Sequence, residues 1–463
     1  MDDASTIYAL SSGSGRAGVA VIRISGSRAR QALERMASPM PGNREAVFRT
    51  IRHPATGRAL DRAVVLFFAG PKSETGEDVA EFQVHGGRAV VRAVLDGLSQ
   101  IPGCRLAEPG EFARRAFENG KLDLAEVEGL ADLIDAETEA QRRQALAQAG
   151  GALSKLYEGW RTRLIEIAAL TEAAIDFSDE GDVAASALQM ARDRATPLLA
   201  EIGAHLDDGH RGEILRDGFR VALLGPPNAG KSSLLNVLAR RDAAIVSAEA
   251  GTTRDVIEVR LDLGGVPVIV SDTAGIRDAE GRIEQEGIRR SVAAGQAANL
   301  ILWLSESGTE SPPSTFSRET IFTIHSKADL AVKSGYFNSN AERVQDPLTP
   351  TLSPGGEGEV SGGLTISAKT GAGLDELVRV IAARAADAVG SETGQPVITQ
   401  ARQRQHLETA REALGRFLSA DPAVVELRAE DVRQAAHALG RITGRVDVED
   451  VLDQIFSRFC IGK

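Results

Sequence analysis

The chain is poor in cysteine, aromatic residues and net positive charge, and it has no long apolar run. Its two cysteines, Cys104 and Cys460, in 463 residues exclude a disulfide framework. Aromatic residues make up 4% against 25% charged residues, the balance of a soluble, helix-rich Ala/Leu protein. No apolar stretch reaches the roughly 18–20 residues of a membrane helix and no signal peptide opens the sequence, so we expect no membrane attachment and a cytoplasmic location. The net charge of −12 argues against a general nucleic-acid coat, because phosphate contacts need clustered Lys and Arg. A specific RNA partner would need a local basic face or help from another protein. The dinucleotide fingerprint of glycines is missing too. A chain of this length has core enough for two to four domains.

What is present is a phosphate-binding loop. Gly225-Pro-Pro-Asn-Ala-Gly-Lys-Ser matches G-x-x-x-x-G-K-[ST], with Asn228, Ala229, Gly230, Lys231, Ser232 and Ser233 at its end. The apolar run Phe219 to Leu224 predicts a buried strand before it, and Leu234, Leu235 and Leu238 predict a helix after it. The loop amides and the helix N-terminus would then face a β-phosphate. Lys231 would reach the β/γ oxygens and Ser232 would hold Mg²⁺.

The other parts of a GTPase follow in order. Asp272-Thr273-Ala274-Gly275 closes an apolar strand at Val266 to Val270, where a carboxylate can hold the Mg²⁺ water shell and the glycine amide can sense the γ-phosphate. Thr252-Thr253-Arg254-Asp255 lies where a switch threonine, Thr253, closes on Mg²⁺. Ser326-Lys327-Ala328-Asp329 follows the run Ile321 to Ile324, and Asp329 can accept from guanine N1–H and the 2-amino group, a pair adenine lacks. Ser367-Ala368-Lys369 fits the loop that caps the base. Two departures stand out. Ser326 stands where such enzymes usually carry Asn, so weaker guanine affinity is expected. Ile276 stands where a Ras-like enzyme has its water-orienting Gln, and no arginine finger is assignable.

Along the chain, residues 1–119 read as a small α+β domain with strands near Val19 to Ile24, Val64 to Phe68 and Ala80 to Val84. Residues 120–215 read as nearly unbroken helix, with Leu124, Val127, Leu130 and Ile134 on one face. Residues 216–386 form the α/β nucleotide domain, inserted into a helical domain that resumes over 387–463. The resumed part has one stripe of Leu407, Leu414, Phe417 and Leu418 and a second of Val448, Val451, Leu452, Ile455, Phe456 and Phe459. The Pro/Gly/Ser-rich segment 346–359 breaks the pattern and should be disordered. It reads as a tolerated surface insertion, with a phosphorylation-tuned linker as the other reading.

These motifs resemble the MnmE (TrmE) family of bacterial tRNA-modification GTPases over essentially the whole chain. The resemblance rests on the phosphate loop and on Ala250-Gly251-Thr252-Thr253-Arg254-Asp255 and Asp272-Thr273-Ala274-Gly275-Ile276-Arg277. It rests equally on Pro109-Gly110-Glu111-Phe112, Lys121-Leu122-Asp123-Leu124 and the terminal Phe459-Cys460-Ile461-Gly462-Lys463. It implies a bound K⁺ beside the β- and γ-phosphates in place of an arginine finger. Asn228 would be a ligand, with Ser247, Glu249 and Thr252 from the loop Ser247-Ala248-Glu249-Ala250-Gly251-Thr252. It implies catalysis by Glu284 with Lys231 and Thr253, triggered when two nucleotide domains meet in a homodimer.

The family also implies a tetrahydrofolate-binding and dimerising N-terminal domain. Arg23, Glu81, Lys121 and Lys463 would hold 5-formyl- or 5,10-methylene-tetrahydrofolate. His85 reads as a pterin contact or, preferably, as a hydrogen-bonded structural residue beside Gly86-Gly87. Cys460 reads as a nucleophile near Lys463 in the tRNA chemistry or, slightly preferred, as a small buried residue on the last helix; Cys104 reads as structural. The implied activity is potassium-dependent GTP hydrolysis to GDP. It is coupled to adding a carboxymethylaminomethyl or aminomethyl group at C5 of the tRNA wobble uridine. The chain would act in a heterotetramer with the FAD-dependent MnmG (GidA), which would carry the FAD. The alternatives are an Era/Der-like ribosome-assembly GTPase and a weakly hydrolysing switch scaffold.

Overall fold

The computed structural model describes residues 5–13, 15–179, 181–241, 243–245, 257–272, 292–306, 310–331, 364–390, 396–419, 425–446 and 449–462. The chain divides into two compact units: Met1–Asp135 with Ala145–Leu206 and Arg402–Lys463, and Ala136–Gln144 with Asp207–Ala401. The bounds 216–386 read from the sequence lie inside the second unit. The segment 346–359 lies outside the described residues.

The first unit opens with a six-stranded sheet in the order β3-β4-β5-β2-β1-β6. Its strands are β1 (Thr6–Leu10), β2 (Ala17–Ser25), β3 (Val47–Arg52), β4 (Ala59–Phe68), β5 (Val79–Gly86) and β6 (Cys104–Leu106). Only β1 and β6 pair in parallel. Alternation along β2 and β5 decides the layout. Ile22, Ile24, Phe82 and Val84 point to one face, where the helices Ala29–Ala37 and Arg88–Ser99 bury them with Leu33, Met36, Val94 and Leu98. Arg23 and Glu81 fall between them, on the opposite face, in direct register with each other. Ile7, Ala9 and Phe112 pack together as a separate small cluster.

Helices make up the rest of this unit. The stretch read as nearly unbroken is interrupted: helices run Leu124–Asp135, Glu139–Ala149, Ala152–Asp176 and Gly181–Leu206. Gly151, with φ +80, starts the third of these in a conformation that L side chains avoid. Asp123 and Glu126 form a reciprocal cap on the first, each carboxylate accepting the other's backbone N–H at 2.9 Å. Burial raises both carboxyls. Leu124 and Val127 are buried as their spacing predicts, whereas Ile134 is 40% exposed. Phe456 and Phe459 join Leu124 and Val127 in one cluster, so the end of the chain packs on the helix that follows the sheet domain. Leu407, Leu414 and Phe417 on Ala401–Ser419 are fully buried.

His406 sits on that same helix, half-buried. Burial first, then Arg402, Arg441 and His437, pushes its imidazole down to about 4. An unfolded histidine titrates near ~6.5. Below that pH the unfolded chain binds a proton the folded chain refuses, so stability should fall as pH drops from ~6.5 toward ~4. Denaturant midpoints at about pH 7.5 and about pH 5 check this. His406→Gln should flatten the decline, and an unchanged decline would acquit His406.

The second unit is a mainly parallel sheet in the order β12-β11-β10-β7-β9-β8. Its strands are β7 (Phe219–Leu224), β8 (Ile257–Leu263), β9 (Val266–Asp272), β10 (Leu300–Ser305), β11 (Ile321–His325) and β12 (Leu364–Thr365). Only β8 runs antiparallel, against β9. β7 and β9 are apolar almost throughout because both faces are covered, the signature of a buried parallel strand. Helices Lys231–Leu238 and Leu374–Val389 add Leu234, Leu235, Leu238, Leu377 and Ile381 to the core.

Candidate functional site

In a parallel sheet ligands bind beyond the carboxyl ends of the strands, and here the predicted motifs gather at those ends. Leu223 pairs with Asp272, and Ser305 with His325, so the chain leaves β7, β9, β10 and β11 along one rim. Gly225, the first residue after β7, has φ +141, and a Cβ there would strike the Leu304 carbonyl oxygen. Only glycine lets the phosphate loop lie that close to β10. Asn228 (φ 65) and Gly230 (φ 93) are left-handed, which curls the loop over the helix Lys231–Leu238. That helix has no side-chain cap, and its first-turn N–H groups are placed for an anion.

Lys231 is buried, and its ammonium donates to the carbonyl oxygens of Gly225 and Pro226, both at 2.8 Å. Burial lowers its pKa, against the opposing pull of the Asp272 carboxylate. A buried cation turned onto its own loop is what a phosphate would draw forward. Ser232 Oγ donates to Asp272 Oδ2 at 2.5 Å, and Asp272 is 1% exposed. A hydroxyl and a carboxylate in contact beside the phosphate loop are hard oxygen donors suited to Mg²⁺ and its waters. The base-recognition residues also converge. Ser326 N–H donates to Ser305 O at 3.0 Å and Ala328 N–H to Ile366 O at 3.1 Å, which ties β11 to both neighbours. Lys327 is left-handed (φ 59) and its ammonium pairs with Glu306 at 2.8 Å. Asp329 Oδ1 accepts from Ser367 Oγ at 2.7 Å, so the capping loop fixes the residue expected to read guanine. Ala368 is half-buried and Lys369 exposed.

The remaining predicted nucleotide residues lie outside the described residues. These are Ser247, Ala248, Glu249, Ala250, Gly251, Thr252 and Thr253, then Thr273, Ala274, Gly275 and Ile276, and Glu284.

The first unit holds a second candidate site. A cavity of about 230 Å³ is lined by Ser11, Arg23, Glu74, Leu122, Leu130 and Gly462, among others. Arg23 Nε donates to Glu81 Oε1 at 3.0 Å and Nη1 pairs with Glu74 at 2.6 Å, with the Phe112 ring centroid 5.8 Å from the guanidinium carbon. Arg23 and Glu81 are thus brought together, and Lys121 passes over Gly76, two residues from Glu74. Glu74 had no signal in the sequence, because it sits in an irregular loop. Lys463 lies outside the described residues, but Gly462 before it is seated against the Leu10 backbone.

Arg105, Glu111 and Arg115 line a further cavity of about 400 Å³ and form an ionic cluster with Glu77. Glu111 and Arg115 are both at most 9% exposed and bond at 2.9 Å; Arg105 reaches Glu111 at 2.5 Å and Arg115 reaches Glu77 at 3.1 Å. Burial alone would raise the Glu111 carboxyl. Hydrogen bonds from Arg105, the Glu108 amide and Arg115 overcome it and hold the group below the usual range. Breaking such a buried pair costs about 3–5 kcal/mol, so the Pro109-Gly110-Glu111-Phe112 segment has a structural reason for its acid. His85 is exposed and hydrogen-bonds Asp61 at 2.8 Å through Nδ1. Cys460 corrects the preferred sequence reading: it is exposed and lies beyond the last helix, which ends at Phe456, because Ile461 leaves the helix to bridge Pro109. Cys104 is half-buried against the sheet core.

Comparison with known proteins agrees with this layout. Residues 6–121 match the family model described as GTP-binding protein TrmE N-terminus, and residues 124–460 match that of the MnmE helical domain. A protein of Parvibaculum lavamentivorans named tRNA modification GTPase MnmE is 53% identical over 463 residues, covering 99% of this chain and 100% of that one. Its namesake in Methylobacterium radiotolerans is 49% identical over the full length of both chains. Among solved structures, Era of Aquifex aeolicus covers 44% of this chain and 68% of its own at 20% identity, with a TM-score of 0.24, too low to carry an argument. With 53% identity sustained across both compact units, the chain belongs to the MnmE (TrmE) family.

Proposed function

We propose that this chain is a GTP hydrolase that works in tRNA modification, with a K⁺-dependent nucleotide site and a separate folate site. The observation that carries the hydrolase reading is the trio Lys231, Ser232 and Asp272, one buried cation and two hard oxygen donors at a helix N-terminus. Lys231 would leave the Gly225 and Pro226 carbonyls for the β/γ oxygens. Ser232 and Asp272 would hold Mg²⁺, joined by Thr253, and bound Mg²⁺ neutralises charge on the phosphates. Asn228, Ser247, Glu249 and Thr252 would hold K⁺, which supplies fixed positive charge where an arginine finger would otherwise act. Asn228 is exposed at the crest of the loop, as a ligand to such an ion must be. Glu284 would orient the attacking water. Phosphate release from GTP but not ATP by the purified chain tests the reading; equal release from both would overturn it.

The folate reading rests on the cavity at Arg23. A guanidinium with two carboxylate partners can exchange one of them for a ligand carboxylate at little cost, and Glu81 can accept from a pterin amino group and ring N–H. Lys121 and Lys463 would meet the glutamyl tail. Arg23→Ala should weaken 5-formyltetrahydrofolate binding by about 10² or more, the worth of a charge-assisted pair. Calorimetric titration measures it, and an unaltered dissociation constant would remove Arg23 from the site. The chain would act as a homodimer with tRNA and MnmG (GidA), which would bring FAD, to build the aminomethyl or carboxymethylaminomethyl group at C5 of the wobble uridine. Cys460 is accessible enough to take part in that chemistry. Nucleoside analysis of tRNA from cells lacking the chain tests this, and unchanged wobble uridines would refute it.

A further inference from the structure

Among the described residues, the base-recognition loop has one buried polar side chain without a hydrogen-bond partner. Ser326 is 8% exposed, and its Oγ shows less than 1 Å² to solvent and has no hydrogen-bond partner. The residues around it are engaged: Lys327 with Glu306, Asp329 with Ser367, and the Ser326 amide with Ser305. A guanine base offers two readable edges, the N1–H and 2-amino donors on one and the N7 and O6 acceptors on the other. Asp329, an acceptor, suits only the first. N7 on the second edge needs a donor reaching from the end of β11, and the Ser326 hydroxyl at that place is sealed beneath the surface on a side chain too short to emerge. We propose that this chain reads the N1–H/2-amino edge of guanine through Asp329 and leaves N7 unread. The inference deepens the nucleotide reading above and rests on it.

The test compares GDP, 7-deaza-GDP (a C–H in place of N7), IDP (no 2-amino group) and ADP by calorimetric titration of the full chain. GDP and 7-deaza-GDP should bind within about twofold of each other, while IDP, which keeps N1–H but lacks the 2-amino group, should bind about tenfold more weakly, as befits loss of one charge-assisted hydrogen bond to Asp329. In Ser326→Asn, whose amide is long enough to reach the base, GDP should tighten and 7-deaza-GDP should become the weaker ligand by about fivefold. Binding of 7-deaza-GDP to the wild-type chain about fivefold weaker than GDP would overturn the proposal, even if the variant does not fold. IDP binding as well as GDP would overturn it too. ADP binding as well as GDP would fail at a different level, because it would remove the guanine site itself.

Discussion

Replacing K⁺ by Na⁺ at constant ionic strength should lower GTP turnover by about 10³, the lower bound of what an arginine finger is worth in the same position. Position 276 is Ile, which has no polar atom to align water, Asn228 is exposed, and no arginine finger is assignable in the sequence. Charge that develops between the β- and γ-phosphates has to be met by something preorganised. Na⁺ has the same charge, but a smaller ion needs shorter ligand distances, which a site of K⁺ dimensions would not supply without strain. KM for GTP should change little, because on this reading Lys231 and the helix N-terminus would hold the ground-state phosphates in either salt. Asn228→Ala should cost about 10² in kcat, comparable to losing one oxyanion-hole donor. Phosphate-release rates in KCl and NaCl decide it, and matching rates would end the potassium reading.

The second large effect concerns which base is held. Asp329→Asn should weaken GDP binding by about 10⁴, because a site built to accept two hydrogen bonds would instead present an N–H to the guanine 2-amino group. Xanthine carries a carbonyl at that position, so the same variant should gain affinity for XDP. The structure adds a reason to expect a clean exchange. Asp329 is positioned by Ser367 Oγ at 2.7 Å, and an Asn oxygen can accept that bond equally well. Titration of GDP and XDP against both proteins reads the crossover. If the variant keeps its preference for GDP, Asp329 is not the reader.

The nucleotide unit was legible in the sequence because its chemistry restricts residue type at fixed spacing. The run Phe219 to Leu224 matches β7 residue for residue, since every residue of the strand except Arg220 is buried and apolar. Arg23 and Glu81 could be placed on one face from alternation alone, but their pairing with each other and with Glu74 could not, because register between strands is set by tertiary contacts. The ionic cluster of Glu77, Arg105, Glu111 and Arg115 escaped for the same reason: its members come from a loop, a strand and a helix. Cys460 was misjudged because apolar periodicity to Phe459 suggested a longer helix than the bridge at Ile461 allows. The break near Gly151 is marked in the sequence by the pair Gly150-Gly151, and the one after Asp176 falls in a short polar stretch between alanine-rich helices.

The clasp between Ile461 and Pro109, with Gly462 resting on Leu10, bears on how this protein is made. A ribosome emits residues at about 5–20 per second, so the opening sheet waits tens of seconds for the segment that closes over its cavity. The nucleotide unit, nearly continuous in the chain, has all its strands long before that. Synthesis therefore passes through a stage in which the later-encoded unit is finished and the earlier one still gapes, with Leu124, Val127 and Phe117 uncovered by their partners at Phe456 and Phe459. Nascent chains stalled just short of residue 449 should be captured by chaperones far more readily than the released protein.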